Sequence, residues 1–300
     1  MPESLERAQS SASESTSVRY FASPLKFSHD WITRPLFAVL LAGVAVGATI
    51  LGGFAFVVFL VAGTAPAARE WHRLFAKREL WQPTLVTVFA IVGSLVSQLL
   101  WQNRHGIAAL SPFFLLWAGA IAQLPLAFWR QESPIAHAGG VLYFGIPALS
   151  LLLLRLHPVH PLWLVLLLFA AIWSTDTGAL FIGRIVGGPK LAPRLSPGKT
   201  WAGFFGGIAS AGLFGAAVAE MAGAKLLPAS LFSVAIALAA QMGDLFESWV
   251  KRLVGVKDSG GLIPGHGGML DRIDSSLCAV PLAALLVLGF GLDPLQGIGR

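Results

Sequence analysis

The sequence predicts an all-α protein, a polytopic transmembrane helical bundle of about nine spans, or eight if the first two apolar segments form one. Three observations carry this. Of 300 residues, 55% are hydrophobic and mean hydropathy is +0.72, more apolar surface than one soluble core of this size could use. Only 12% are charged, and runs such as 35–68, 232–243 and 277–291 carry no charge at all. Lys and Arg also fall unevenly between alternate loops, as the retention of positive charge on the cytoplasmic side requires.

Residues 1–33 are polar and lack a long apolar run, which predicts a mobile tail and no secretory signal. Transmembrane helices should fill 34–160, and a C-terminal transmembrane region with polar loops should fill 161–300. The uncharged stretch 35–68 is too long for one ordinary crossing and suits two short helices hinged near Gly47 or Gly52–Gly53. Further spans are predicted at 84–101, 107–129, 134–154, 161–182, 200–219, 228–247 and 275–292, each long enough to cross about 30 Å of hydrocarbon as a helix.

With these spans, one side holds Arg69, Arg73, Lys77, Arg78, Arg130, Arg184, Lys190, Arg194, Lys199, Lys251, Arg252, Lys257 and Arg272, and the other only Arg104, Arg155, Lys225 and Arg300. The loops 183–199 and 248–274 therefore share the cytoplasmic side. GxxxG spacings at Gly43–Gly47 and Gly203–Gly207 are assigned to helix packing. Trp31, Trp71, Trp81, Trp101, Trp129, Trp173, Trp201 and Trp249 fall near span ends, as an interfacial aromatic belt would have them. The single Cys278 excludes an intramolecular disulfide and a Cys-based zinc cluster, and reads as a buried inert thiol. The basic surplus, 21 Lys and Arg against 15 Asp and Glu, suits anionic headgroups, and no nucleic-acid partner is expected.

Chemistry concentrates in 244–275, which gathers five carboxylates, four Lys or Arg and a His between two uncharged runs. On a helix over 228–254, Asp244, Glu247, Ser248 and Lys251 fall at i, i+3, i+4 and i+7 and share one face. Lys257 and Asp258 lead into a glycine-rich segment with Gly267 and Gly268, whose backbone can approach phosphate oxygens. Asp271, Arg272 and Asp274 then open the last span, where either carboxylate could also serve as a helix cap. Hard oxygen ligands, cationic groups and a flexible backbone together fit a Mg²⁺–nucleotide site, with Asp244 and Asp271 able to converge on a metal. His266 reads equally as a loop histidine bonded to a backbone carbonyl, and no HExxH or Cys/His spacing supports zinc.

A second polar block begins at Asp176, at the end of an apolar span, where an intramembrane Asp costs roughly 2.5 to 3.5 kcal/mol and calls for a partner such as Arg184 or a function. The run Ser196-Pro197-Gly198-Lys199-Thr200 is read as the start of the next helix, a plausible anion cradle but no Walker A motif.

These residues resemble the integral-membrane phosphatidate cytidylyltransferases, or CDP-diacylglycerol synthases. Their signature, S-x-apolar-K-R-x4-K-D-x-small-x2-apolar-P-x-H-G-G-apolar-x-D-R-apolar-D, is matched at every specified position from Ser248 to Asp274. The SPGKTW block is similar to a second family motif, closer to SPKKTWEG, with Gly198 replacing a Lys and Ala202 the Glu. Arg69-Glu70-Trp71 also looks familial, although the likeness centres on 170–292.

The resemblance implies that CTP and phosphatidic acid give CDP-diacylglycerol and pyrophosphate, with Mg²⁺ as cofactor and a second metal ion left open. It implies metal ligation by Asp244 and Asp271, and a catalytic group of Lys251, Arg252, Lys257, Asp258, His266, Arg272 and Asp274. Asp176, Ser196, Lys199, Thr200, Ser248, Gly267 and Gly268 would bind substrate. Since a phosphate monoester is already largely ionised near neutral pH, no strong base is needed, and catalysis would rest on positioning and charge neutralisation. The partners implied are CTP, phosphatidic acid and membrane lipids, in a bacterial inner membrane with the site facing the cytoplasm; a homodimer is left open. Two other readings stand beside this one, a CTP-dependent polyprenol kinase and a membrane transporter.

Overall fold

The computed structural model describes residues 30–76, 81–101, 110–260 and 267–298, with side chains described from Val39 onward. Residues 41–300 form one compact unit and 1–40 another, of which only the start of the first helix is described. The polar tail expected over 1–33 thus lies almost entirely outside the described residues.

In chain order the elements are α1 (Asp30–Leu51), α2 (Gly53–Phe75), α3 (Gln82–Leu100), α4 (Ser111–Trp129), α5 (Pro134–Arg155) and α6 (Pro161–Val186). A small hairpin follows, β1 (Lys190–Ala192) and β2 (Ser196–Thr200), and then α7 (Trp201–Ala222), α8 (Leu226–Leu253) and α9 (Leu270–Ala284). A π-turn, Leu285–Gly289, extends α9. Among the described residues, eight helices, α2 to α8 and α9 with its π-turn, are long and apolar enough to cross a membrane, and Val39–Leu51 adds a shorter apolar helix.

The first apolar stretch breaks where glycine permits it. Gly52 adopts φ 64°, a left-handed conformation that ends α1, and α2 starts at Gly53. Arg155, at the end of α5, donates from Nε to the Thr49 carbonyl at 2.6 Å, satisfying a carbonyl in the last turn of α1. Helices α3, α4, α5 and α6 each carry proline in the first turn, where its missing N–H costs nothing. Helix α7 is capped by Thr200, whose Oγ1 accepts from the Gly203 N–H at 3.1 Å.

Helix α5 is the most enclosed, and Phe144, Leu149, Leu152 and Leu154 on it meet Leu167 and Leu168 of α6, Ile236 of α8 and Leu270 of α9 in one continuous core. Helices α6 and α7 approach through glycine. A Cβ on Gly203 would lie 2.7 Å from the Ala179 carbonyl, and one on Gly207 2.8 Å from that of Thr175. The Gly203–Gly207 pair thus packs as its spacing implied, whereas Gly43 and Gly47 have nothing within 4 Å of a would-be Cβ, so that assignment is corrected.

Two other expectations change. The 196–200 segment does not begin a helix; it pairs antiparallel with β1, Lys190 opposite Thr200, because Pro197 and Gly198 disfavour helix and Trp201 is the first helical residue. Trp71, near the end of α2, does not face outward as a belt residue would: it is buried, donates to the Ala136 carbonyl at 2.9 Å and packs on Tyr143 and Phe144. Trp173 likewise lies mid-helix in α6, while Trp81, Trp101, Trp129 and Trp201 are exposed at helix ends.

Candidate active site

The hairpin, the C-terminal end of α8 and the N-terminal end of α9 meet at one end of the bundle. Lys199 on β2 and Asp244 on α8 form an ion pair, Nζ to Oδ2 at 2.5 Å. Arg252 donates to the Leu195 carbonyl at 3.4 Å and to that of Val256 at 2.9 Å, tying the hairpin turn to the end of α8. The two polar loops thus share one end, the relation that the charge count required.

Helix α8 carries Asp244, Glu247, Ser248 and Lys251 on one face, as the spacing predicts, and the arrangement makes a second charge centre. Lys251 stands between two carboxylates, 2.8 Å from Glu247 Oε2 and 2.6 Å from Asp271 Oδ1. Glu247 is 1% exposed, and its Oε1 has no hydrogen-bond partner among the described residues. Asp271 is engaged on both oxygens, since Oδ2 accepts from the Gly268 N–H at 2.9 Å and the Ser259 hydroxyl at 3.0 Å. Gly267 and Gly268 serve this turn: Gly267 has φ 79°, and its would-be Cβ lies 3.1 Å from Asp271 Oδ2.

One turn further into α9, Asp274 faces the Asp244 side. The helices touch there, because a Cβ on Gly243 would lie 2.6 Å from the Asp274 carbonyl. The Ser275 hydroxyl lies 3.3 Å from Asp274 Oδ1 and from both oxygens of Asp176 on α6. Three carboxylates from three helices, Asp176, Asp244 and Asp274, therefore lie within electrostatic reach of one another. Asp176 bonds Ser275 rather than Arg184. Among the described residues, no three His, Cys, Asp or Glu side chains draw close enough to hold a metal on their own.

The remaining expected residues are placed as follows. Ser248 is buried on α8, Ser196 is half-buried on β2, and Lys257 and Asp258 are exposed beyond α8. Arg272 is exposed in the first turn of α9 and has contacts of its own. His266 lies outside the described residues. Cys278 is half-buried beside Gly243.

Three residues that the sequence reading gave no site role join this network, Glu70, Ser259 and Ser275, beside Glu247, which the spacing had placed on the shared face of α8. Glu70, on α2, accepts from Ser259 Oγ at 3.1 Å, the Met269 N–H at 3.0 Å and the Leu270 N–H at 2.8 Å. Its signal was the only acidic group in α2, in an otherwise apolar and basic helix.

Comparison with known proteins points to one family. A model of the cytidylyltransferase family matches residues 32–290. A phosphatidate cytidylyltransferase of Brucella suis is 40% identical over 259 residues, covering 85% of this chain and 92% of the relative. One of Pseudomonas aeruginosa is 34% identical over 278 residues, 86% of this chain and 97% of the relative. One of Rickettsia bellii is 34% identical over 209 residues, 66% and 87% respectively.

Proposed function

The chain belongs to the cytidylyltransferase family, and on that premise we propose that it transfers the cytidylyl group of CTP to phosphatidic acid, yielding CDP-diacylglycerol and pyrophosphate. The observation that carries this reading is that the polar positions of 244–275 are gathered with Lys199 at one end of an apolar bundle. A nucleotide from the aqueous phase and a lipid headgroup can both reach such an end.

In the reaction an oxygen of the lipid phosphate attacks the α-phosphorus of CTP, a new P–O–P linkage forms, and the bond to the β-phosphate breaks to release pyrophosphate. The chain supplies position and charge. Lys199, already paired with Asp244, is the cation best placed to turn toward a phosphate, and Thr200 beside it fixes the start of α7. Lys251 is held by Glu247 and Asp271, so it sets the spacing of α8 and α9 and offsets the negative charge of both carboxylates. Arg272, exposed at the start of α9, offers a planar fork suited to phosphate. Among the described residues no nucleophile–base pair is evident, and a phosphate monoester needs none.

Mg²⁺ is the metal this donor set fits; bound there, it would neutralise charge on the nucleotide and on departing pyrophosphate. Asp244 keeps the ligand role that the family resemblance implies. Asp271 has both oxygens engaged by Lys251, Gly268 and Ser259, which supports giving the second place to Asp274, beside Asp244 and Asp176. The excess of Lys and Arg at this end supports a cytoplasmic orientation, and the bacterial relatives support the inner membrane.

The test is purified protein in mixed micelles with phosphatidic acid, Mg²⁺ and CTP labelled in either the α or the γ phosphate. Label from the α position should enter the lipid phase. Label entering only from the γ position would instead establish a lipid kinase, and solute movement in proteoliposomes without nucleotide consumption a transporter.

A further inference from the structure

Helix α9 opens the segment that holds Asp271 and Asp274, yet it has no cap of its own. Met269 occupies the capping position, and a methionine side chain cannot accept the N–H groups that a helix start leaves unpaired. Two of those donors, the Met269 and Leu270 N–H groups, are satisfied by a residue about 200 positions earlier. Glu70 Oε1 takes the Met269 N–H at 3.0 Å and Oε2 the Leu270 N–H at 2.8 Å. A carboxylate at this position also complements the positive end of the helix dipole.

The same carboxylate reaches the segment on its other side. Ser259 Oγ lies 3.1 Å from Glu70 Oε2 and 3.0 Å from Asp271 Oδ2, a hydroxyl between two acceptors, so the position of Glu70 bears directly on Asp271 and through it on Lys251. The backbone has been shaped to admit Glu70: a Cβ on Gly260 would lie 2.7 Å from Glu70 Oε1, and one on Gly268 would overlap the same carboxylate. Glycine at both places lets the ends of the 260–268 segment close around it.

Glu70 is itself held rigidly. It is 5% exposed, and the next two residues fasten α2 to its neighbours. Trp71 donates to the Ala136 carbonyl, while His72 hydrogen-bonds His137 Nδ1 and Thr87 Oγ1, each at 2.8 Å. An acceptor on so fixed a helix can impose its position on Ser259 and on the backbone at Met269 and Leu270.

We infer that Glu70 is a positioning residue for the reaction, an N-terminal cap supplied in trans that sets where Asp271 and the start of α9 stand relative to α8. The inference rests on the transferase reading for its catalytic consequence and on geometry alone for the contact.

The variant to make is Glu70→Gln, which turns one acceptor oxygen into an NH₂ facing an N–H. Turnover per folded molecule should fall about tenfold, the loss expected for a buried hydrogen bond to a charged group. Amide exchange at Met269 and Leu270 should accelerate, and the half-saturating Mg²⁺ concentration should stay put because Glu70 is no ligand. Adding Ser259→Ala should cost little more, since both changes cut the same relay. A residue serving only bundle stability would lower the folded fraction and leave turnover per folded molecule alone, and that result overturns the inference, as does unchanged exchange at 269–270 or fully additive losses. Should Glu70→Gln fail to fold, Ser259→Ala alone reads the relay: reduced turnover in a folded protein supports it and parental turnover overturns it. If the unsubstituted protein places no α label in lipid, the transferase reading fails, and the exchange measurement still decides the contact.

Discussion

Lys199 and Asp244, a strand residue and a helix residue 45 positions apart, stand 2.5 Å from each other with both side chains partly open to solvent. The pair joins the hairpin to the carboxylates of α6, α8 and α9, and it sets two functions against each other. A cation beside Asp244 lowers the negative potential that would attract a divalent ion, yet under the proposed function the same cation would serve phosphate.

The variant Lys199→Ala should therefore move two constants in opposite directions. KM for CTP should rise, by about fivefold or more for the loss of one charge-assisted contact. The half-saturating Mg²⁺ concentration should fall, because the carboxylates then lack their nearest competing cation. Steady-state kinetics with Mg²⁺ and CTP varied independently check this, and constants that move together would remove the competition.

Lys251 is held between two carboxylates, so its loss should be felt in stability. Its ammonium offsets Glu247, which is 1% exposed, and Asp271 at once. Lys251→Met should destabilise the protein by about 3 kcal/mol, the cost of leaving a buried carboxylate without its partner, whereas Lys251→Met combined with Glu247→Gln should recover part of that. Thermal unfolding in detergent measures both, and a double variant no more stable than the single would show that the pair is not the cause.

Much of this site was legible in the sequence because its parts lie on one helix face or in one contiguous segment. The i, i+3, i+4, i+7 spacing placed Asp244, Glu247, Ser248 and Lys251 together, and the length of one uncharged stretch called for a hinge near Gly47 or Gly52–Gly53, of which the second is where the break falls. What was hidden depends on contacts that no local pattern encodes. Glu70 lies 189 residues before Ser259, and only packing reveals that it caps α9. The hairpin was misread as helix because Lys-Thr before an apolar run resembles a helix start, although Thr200 is the cap and 196–200 is a strand whose ends, Ser196 and Thr200, lie opposite Ala192 and Lys190 of β1. The family resemblance gave the ligand place to Asp271 rather than Asp274, but spacing alone does not separate two carboxylates three residues apart on one helix.

The glycine seam between α6 and α7 gives a test of packing away from the chemistry. Gly207→Val would press a side chain into the Thr175 carbonyl, already 2.8 Å from the would-be Cβ, and should destabilise the protein by about 2 kcal/mol through overpacking. Gly43→Ala, with open space around it, should be close to neutral. Equal melting temperatures for the two variants would contradict the seam.

Orientation can be read by labelling. In a Cys278→Ala background, cysteines at Arg194 and Lys257, both exposed at the hairpin end, should react with an impermeant maleimide only from the cytoplasmic side. A cysteine at Lys225, at the opposite end of α8, should react only from the other side. Reaction of Arg194 and Lys257 positions from different sides would separate the two loops and with them the site.

The sharpest test compares the two aspartates of α9. Asp274 faces Asp244 and shares the Ser275 hydroxyl with Asp176, whereas Asp271 accepts from Lys251, Gly268 and Ser259. If Asp274 is the ligand, Asp274→Asn should raise the half-saturating Mg²⁺ concentration at least tenfold, since a neutral amide is a poor ligand for a hard cation, and should leave the melting temperature near that of the parent. Asp271→Asn should do the reverse. Its new NH₂ group faces either Lys251 or the Gly268 N–H, so the protein should lose about 2 kcal/mol of stability and turnover should fall, with the Mg²⁺ requirement unchanged. Mg²⁺ titration of activity beside thermal unfolding separates the two cases. A raised Mg²⁺ requirement in Asp271→Asn alone would return the ligand role to Asp271 and make Asp274 the structural member of the pair.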